Sequence, residues 1–175
     1  MKTAFVGHRK IFVDNLDERL IGAIKTEIRY GCSSFIMGTH GQFDTLALLV
    51  CKQLRKEYAN LDVEVVLTSL HALDKYDEWD VVPYSDIKTV MYDIEDVHFK
   101  RRISMSNRQM IDECDTLICY VDEKHCISGA KKALCYAKEK GLKIVNLWQE
   151  EYNPFYGMTQ SEIIAYIRKV YEKFR

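Results

Sequence analysis

Residues 34–54 read Ser-Phe-Ile-Met-Gly-Thr-His-Gly-Gln-Phe-Asp-Thr-Leu-Ala-Leu-Leu-Val-Cys-Lys-Gln-Leu. Ser34–Met37 is a short apolar run that stops at Gly38, which reads as a buried strand. Beyond Gly38–Thr45 the apolar positions Leu46, Leu49, Val50 and Leu54 follow helical spacing, predicting a helix from about Asp44 to Tyr58. A strand that passes through a glycine loop into an amphipathic helix is a building unit of parallel sheets, because parallel neighbours need a crossover connection.

The same unit recurs on both sides. Thr3–Val6 is an apolar strand ending at Gly7. It is followed by a helix carrying Leu16, Leu20, Ile21, Ile24 and Ile28, with Asn15 or Asp14 as cap and Gly31 as stop. Asp62–Leu67 is a third strand. Residues 68–87, with Trp79 and Pro83, lack periodicity and read as a long loop with a turn of helix. Ile87–Tyr92 is a strand, Ser104–Glu113 a short helix, and Thr116–Val121 (TLICYV) a buried strand. A helix from Gly129 to Lys140 closes at Gly141, Lys143–Leu147 is the last strand, and Thr159–Phe174 forms a C-terminal helix. The expected fold is α/β: a Rossmann-like, doubly wound, mainly parallel sheet with helices on both faces.

At 175 residues the chain has the size of one domain, and residues 1–175 are read as one unit. Apolar residues make up 47% and charged residues 29%, with two prolines, which excludes disordered and fibrous classes. Lys plus Arg number 25 against 26 for Asp plus Glu, so no global basic stripe serves duplex nucleic acid. The one locally basic stretch, His98–Arg108 with Lys100, Arg101, Arg102 and Arg108, suits a small phosphate-bearing ligand or a solvated helix face.

No apolar run approaches the ~18 residues of a membrane helix, and the opening MKTAFVGHRK lacks a signal-peptide core. No membrane contact and a cytoplasmic setting are expected. Cysteines 32, 51, 114, 119, 126 and 135 contain no CxxC pair, and six free thiols are expected in a reducing compartment. His8 and His40 follow strands that look adjacent, but no third ligand is evident, so neither a metal nor a resident cofactor is expected.

In open parallel sheets, ligands sit at the carboxyl ends of the strands near the point where strand order reverses. That geometry selects Gly7–Asp14, Gly38–Thr45, Thr68 onward, Asp122–Gly129 and Asn146–Tyr152, and four stretches in or beside these loops carry chemistry. Gly7-His8-Arg9 offers a tight turn and a forked cation. Gly38–Thr45 exposes backbone N–H groups at a helix start, with Asp44 as ligand contact or cap. Asn107 can read a base or ribose edge and Arg108 a phosphate. His125–Ala130 is a second glycine turn into a helix, a phosphate cradle or a plain connection capped by Ser128.

Several of these motifs also occur in a known order. Gly7-His8-Arg9 follows the first strand. Gly38 to Ala47, with Phe43 before Asp44, follows the second. Asn107 to Asp112 leads into Cys114-Asp115-Thr116-Leu117-Ile118, and Ala133–Leu147 forms the final helix and strand. From residue 1 to about 148 this resembles the SLOG superfamily, in particular its YpsA-like branch. The resemblance implies a Rossmann-like domain that binds nucleotides or nucleotide-derived ligands, in a superfamily of enzymes and sensors whose members associate; a homodimer is expected.

The enzyme branch, the LOG-type phosphoribohydrolases, carries an Arg-Lys pair and Pro-Gly-Gly-x-Gly-Thr followed closely by Glu. Here the corresponding residues are Ser106-Asn107 and Gly129-Ala130, with no carboxylate between Gly129 and Lys138. The departure argues against that activity unless Asp44, Asp112, Asp122 or Glu123 substitutes.

The leading expectation is therefore a binding module for a nucleotide or nucleotide-derived ligand, used in sensing or sequestration, without robust catalysis. Gly38, Gly41 and Gly129 would admit phosphates, Arg9 and Arg108 would pair with them, Asn107 and Asp44 would contact ribose or base, and His8 and His40 would line the pocket. Gly7, Phe43 and Ser128 complete the candidate set. One alternative is a nucleotide N-glycosidic hydrolase using Asp44 or Asp122. Another is an interaction scaffold built on a Tyr-rich surface and the C-terminal helix.

Overall fold

In the computed structural model, the described residues form six parallel strands and the helices that connect most of them. The strands are β1 (Lys2–Gly7), β2 (Ser34–Met37), β3 (Asp62–Leu67), β4 (Lys88–Met91), β5 (Thr116–Tyr120) and β6 (Lys143–Asn146). Among the described residues the helices are α1 (Leu16–Arg29), α2 (Gln42–Arg55), α3 (Phe99–Asp112) and α4 (Gly129–Glu139). The structure describes residues 1–11, 15–68, 87–92, 97–124 and 127–149, with positions 159 and 161. The loop expected over 68–87 and the C-terminal helix expected over 159–174 lie almost wholly outside the described residues, as do Asp14, His125 and Cys126. No helix among the described residues is long and apolar enough to cross a membrane.

Strand order is β4-β3-β2-β1-β5-β6, every pairing parallel. Alternation along each strand sends side chains to opposite faces. Phe5, Phe35, Met37, Val65 and Ile118 meet Leu20, Ile24, Ala47 and Leu54 of α1 and α2 on one face. Ala4, Val6, Ile36, Leu117 and Cys119 meet Met110, Ile111, Ala133 and Leu134 of α3 and α4 on the other. The sheet is doubly wound, as its near-continuous apolar strands require.

Helix boundaries move by a few residues from expectation, each for a local reason. Asn15 occupies the start of α1 in a left-handed conformation (φ 67) and makes no side-chain cap bond. Gly31 (φ 90) and Gly141 (φ 78) do end helices in the left-handed region, as a residue without Cβ allows. The cap of α2 is the extended Gly41, so Asp44 lies inside the first turn. Helix α3 begins at Phe99 rather than Ser104.

Two buried carboxylates lie toward the amino end of the sheet. Glu64 bonds Lys2 (2.6 Å) and Lys88, and Glu27 bonds Lys143 (2.7 Å) and Thr116 (3.2 Å). Paired and hydrogen-bonded in this way, both charges are tolerated inside.

Candidate functional site

Strand order reverses between β1 and β5, and there the two chain directions part to leave a crevice at the carboxyl ends. The β1–β5 ladder continues one step beyond Gly7, with His8 N–H donating to the Tyr120 carbonyl (3.1 Å). The Asp122 amide then donates to His8 Nε2 (2.8 Å), pinning the imidazole across the gap. An amide cannot give up its proton, so Nε2 is the acceptor and the ring proton sits on Nδ1. Burial lowers the His8 pKa from its ordinary value, against the opposing charge of Asp122. Trp148 meets the ring edge-on at 5.7 Å. It is held there by Asn146, which also clamps Val121 through both amide atoms (3.1 and 2.9 Å).

The loops after β1 and β2 are zipped together. Gln42 N–H donates to the Arg9 carbonyl (3.0 Å), and Gln42 Oε1 accepts from Ile11 N–H (2.7 Å). A Cβ on Gly41 would lie 3.0 Å from Arg9 Cα, so a side chain there would press the two loops a few tenths of an ångström apart. Asp44 folds back over its own loop, where Oδ2 accepts from the His40 amide (2.9 Å) and the carboxyl also holds the Gly41 amide. Its carboxyl is nevertheless pushed up to about 6, because burial outweighs those two bonds. His40 Nε2 pairs with Thr68 Oγ1 (2.9 Å), and burial and the charge of Arg9 lower its pKa.

Helix α3 supplies Ile103 and Asn107, one turn apart on one face. Helix α4 begins at the cleft: Ser128 Oγ accepts from Lys131 N–H (3.1 Å), while the Gly129 and Ala130 amides have no acceptor among the described residues. Removing this cap in Ser128→Ala is expected to cost about 1 kcal/mol, checked by chemical denaturation.

The outcome is a cleft of about 270 Å³ that gathers Gly7, His8, Arg9, His40, Asp44, Asn107, Ser128 and Gly129 from four separate stretches of sequence. Four candidates stand elsewhere. Gly38 lies beneath the Asp44 carboxyl, where an added Cβ would be 3.4 Å from Oδ2. Gly41 spaces the two loops. Phe43 is buried and stacks on Tyr120 (6.1 Å) behind Gly7.

Arg108 stacks on Tyr136 of α4, 5.1 Å from its ring centroid. Adjacent helical residues point about 100° apart, so with Asn107 facing the cleft, its neighbour faces the α4 surface. Gly38, Gly41 and Arg108 thus stand outside the lining of the cleft. The amides of residues 40 and 41 serve Asp44, and the open amides belong to α4.

Val6, Ile103 and Ala130 also line the cleft and were not among the expected residues. Ile103 had a signal, its position four residues before Asn107. No group of three or more metal-ligating side chains occurs among the described residues. The cleft combines donors (Arg9, His8 Nδ1–H, the α4 amides) with one carboxyl. No protein-family model matches the chain, and no curated protein matches it at a significant level.

Proposed function

We propose that the protein is a binding module for a nucleotide or nucleotide-derived ligand, seated in the cleft between β1 and β5. The observation that carries this reading is the convergence, at the strand-order reversal, of Arg9 and the open first turn of α4 around one carboxyl. A phosphate accepts from the Gly129 and Ala130 amides at the positive end of the helix dipole and pairs with Arg9. Asp44 and Asn107 are the complementary partners for sugar hydroxyls or a base edge. The volume lies near the lower edge of the about 300–1,000 Å³ usual for small-molecule pockets, which suits a sugar-phosphate portion. The SLOG-like order of motifs supports the same assignment.

Native mass spectrometry and calorimetry against a panel of nucleotides, cyclic nucleotides and ADP-ribose-type compounds test the reading. Arg9→Ala is expected to weaken binding about 10–100-fold, the usual loss for a charge-assisted bond, and Arg108→Ala to leave it within about twofold. No binding by any panel member, or a larger loss at Arg108 than at Arg9, overturns it.

One observation favours a second reading, N-glycosidic hydrolysis. Asp44 is the cleft's one carboxylate among the described residues, and its raised pKa suits proton transfer near neutral pH. Asp122 is not among the lining residues and caps the Lys124 amide (2.9 Å). Free base released with turnover from the same panel, and lost in Asp44→Asn, decides for the hydrolase.

A further inference from the structure

Asp44 is out of place in a site built for an anion. It shares about 270 Å³ with Arg9 and the open turn of α4. Among the described residues its hydrogen bonds come from backbone amides at positions 40 and 41, and none of the ion pairs includes it. An anion bound in so small a space meets a second negative charge where the effective dielectric is low and repulsion is strong. A proton on Asp44 removes the repulsion and turns one carboxyl oxygen into a donor toward the anion.

We propose that the cleft takes up its anionic ligand together with a proton carried by Asp44, so that binding tightens as the pH falls. The proposal rests on the anion-binding reading above and adds its regulation. Burial places the carboxyl at about 6, within reach of this exchange. Among the described residues, the other charged or titratable groups at the cleft are His8, His40 and Arg9, with Asp122 acting on His8 from just beyond β5.

Both imidazole pKa values are lowered by burial, and His8 Nε2 is already engaged as an acceptor. The lining residues from α3 and α4 are Ile103, Asn107 and the Ser128–Ala130 turn, none of which titrates. The proton is assigned to Asp44 as the one negative group at the cleft among the described residues, and the Asp44→Asn profile separates it from His40.

Inorganic sulfate is the probe, because its charge does not change between pH 5.5 and 8 while a phosphomonoester's does. Calorimetric titration of the full chain is expected to show sulfate binding at least tenfold weaker at pH 8 than at pH 5.5, approaching roughly tenfold per pH unit above 6 where protonation is obligatory. Asp44→Asn is expected to bind at pH 8 about as well as the wild type at pH 5.5, with a flat profile. Should that variant fail to fold, titration of the wild type in two buffers of different ionisation heat still reads proton uptake directly. It is expected to approach one proton per sulfate near pH 8.

Measurable binding without pH dependence overturns the coupling and leaves the anion site standing. A slope that survives in Asp44→Asn overturns the assignment to Asp44. No sulfate binding by wild type or variant at any pH overturns the coupling and the anion-binding reading together.

Discussion

Gly7→Ala is expected to lower stability by about 3 kcal/mol, at the upper end for overpacking a tight core position. The added Cβ would lie 2.4 Å from Phe43 Cγ, 2.5 Å from Cδ1 and 2.6 Å from Cβ, distances no real contact shows. Phe43 has nowhere to go, since its ring is fully buried and stacks on Tyr120 at an interplanar angle of 19°. For a chain of this size the loss corresponds to a melting temperature roughly 6–12 °C lower. Trimming the obstacle checks the cause. In the Gly7→Ala background, Phe43→Ala, which removes the two nearest of those atoms, Cγ and Cδ1, is expected to cost at least about 1 kcal/mol less than it does alone, a coupling a double-mutant cycle reads directly. A Gly7→Ala protein as stable as the wild type would show that Phe43 yields, and that glycine at this turn serves something other than packing. The position matters because the Gly7 turn aims His8 and Arg9 at the cleft.

The second large effect has the opposite sign. Asp44→Asn is expected to stabilise the ligand-free protein by about 1–3 kcal/mol at pH 8 and to leave it unchanged near pH 4. The folded chain holds the Asp44 carboxyl at about 6 against an ordinary value of 3.8, so it binds this proton more tightly than the unfolded chain does. That advantage is fully present below about pH 4 and is lost as the pH rises through 6. Above 6 the desolvated carboxylate lowers stability by about 3 kcal/mol at full value, reduced where water in the cleft screens it. Asparagine retains an acceptor for the His40 and Gly41 amides without the charge. Melting temperatures of both proteins from pH 4 to 8 should therefore diverge as the pH rises. A variant less stable than the wild type at pH 8 would mean that the two amide bonds outweigh desolvation.

The strand cores were legible because burial on both faces leaves a continuous apolar run with few other readings. Ser34–Met37 and Asp62–Leu67 were read to the residue, and Thr116–Val121 extends one residue past β5. The helix starts were less legible, since capping depends on backbone conformation as well as residue type. Asp44 looks like a cap from its place before an apolar run, yet the extended Gly41 caps α2, and Asp44 bends back to residues 40 and 41. Helix α3 begins five residues ahead of the expected start, which had no signal because His98, the residue before Phe99, is not a capping type. At the candidate site the loops themselves were legible from their glycines and polar residues after apolar runs. Their division of labour was not. Arg108 and Asn107 are neighbours in sequence, but one helical step sends the first to Tyr136 and the second into the cleft.

From the sequence alone came the α/β alternation, the parallel sheet and the four loops, because each depends on local periodicity and on where apolar runs stop. Tertiary structure alone decided three things. It placed the strand-order reversal between β1 and β5. It assigned the amides of residues 40 and 41 to Asp44 and left those of α4 open. It set Asp44 in a desolvated cleft with no ion-pair partner among the described residues. All three turn on which groups come together from distant parts of the chain. Hydrogen-bond partners and local dielectric exist only once the loops have met, so no residue type or spacing carries them beforehand.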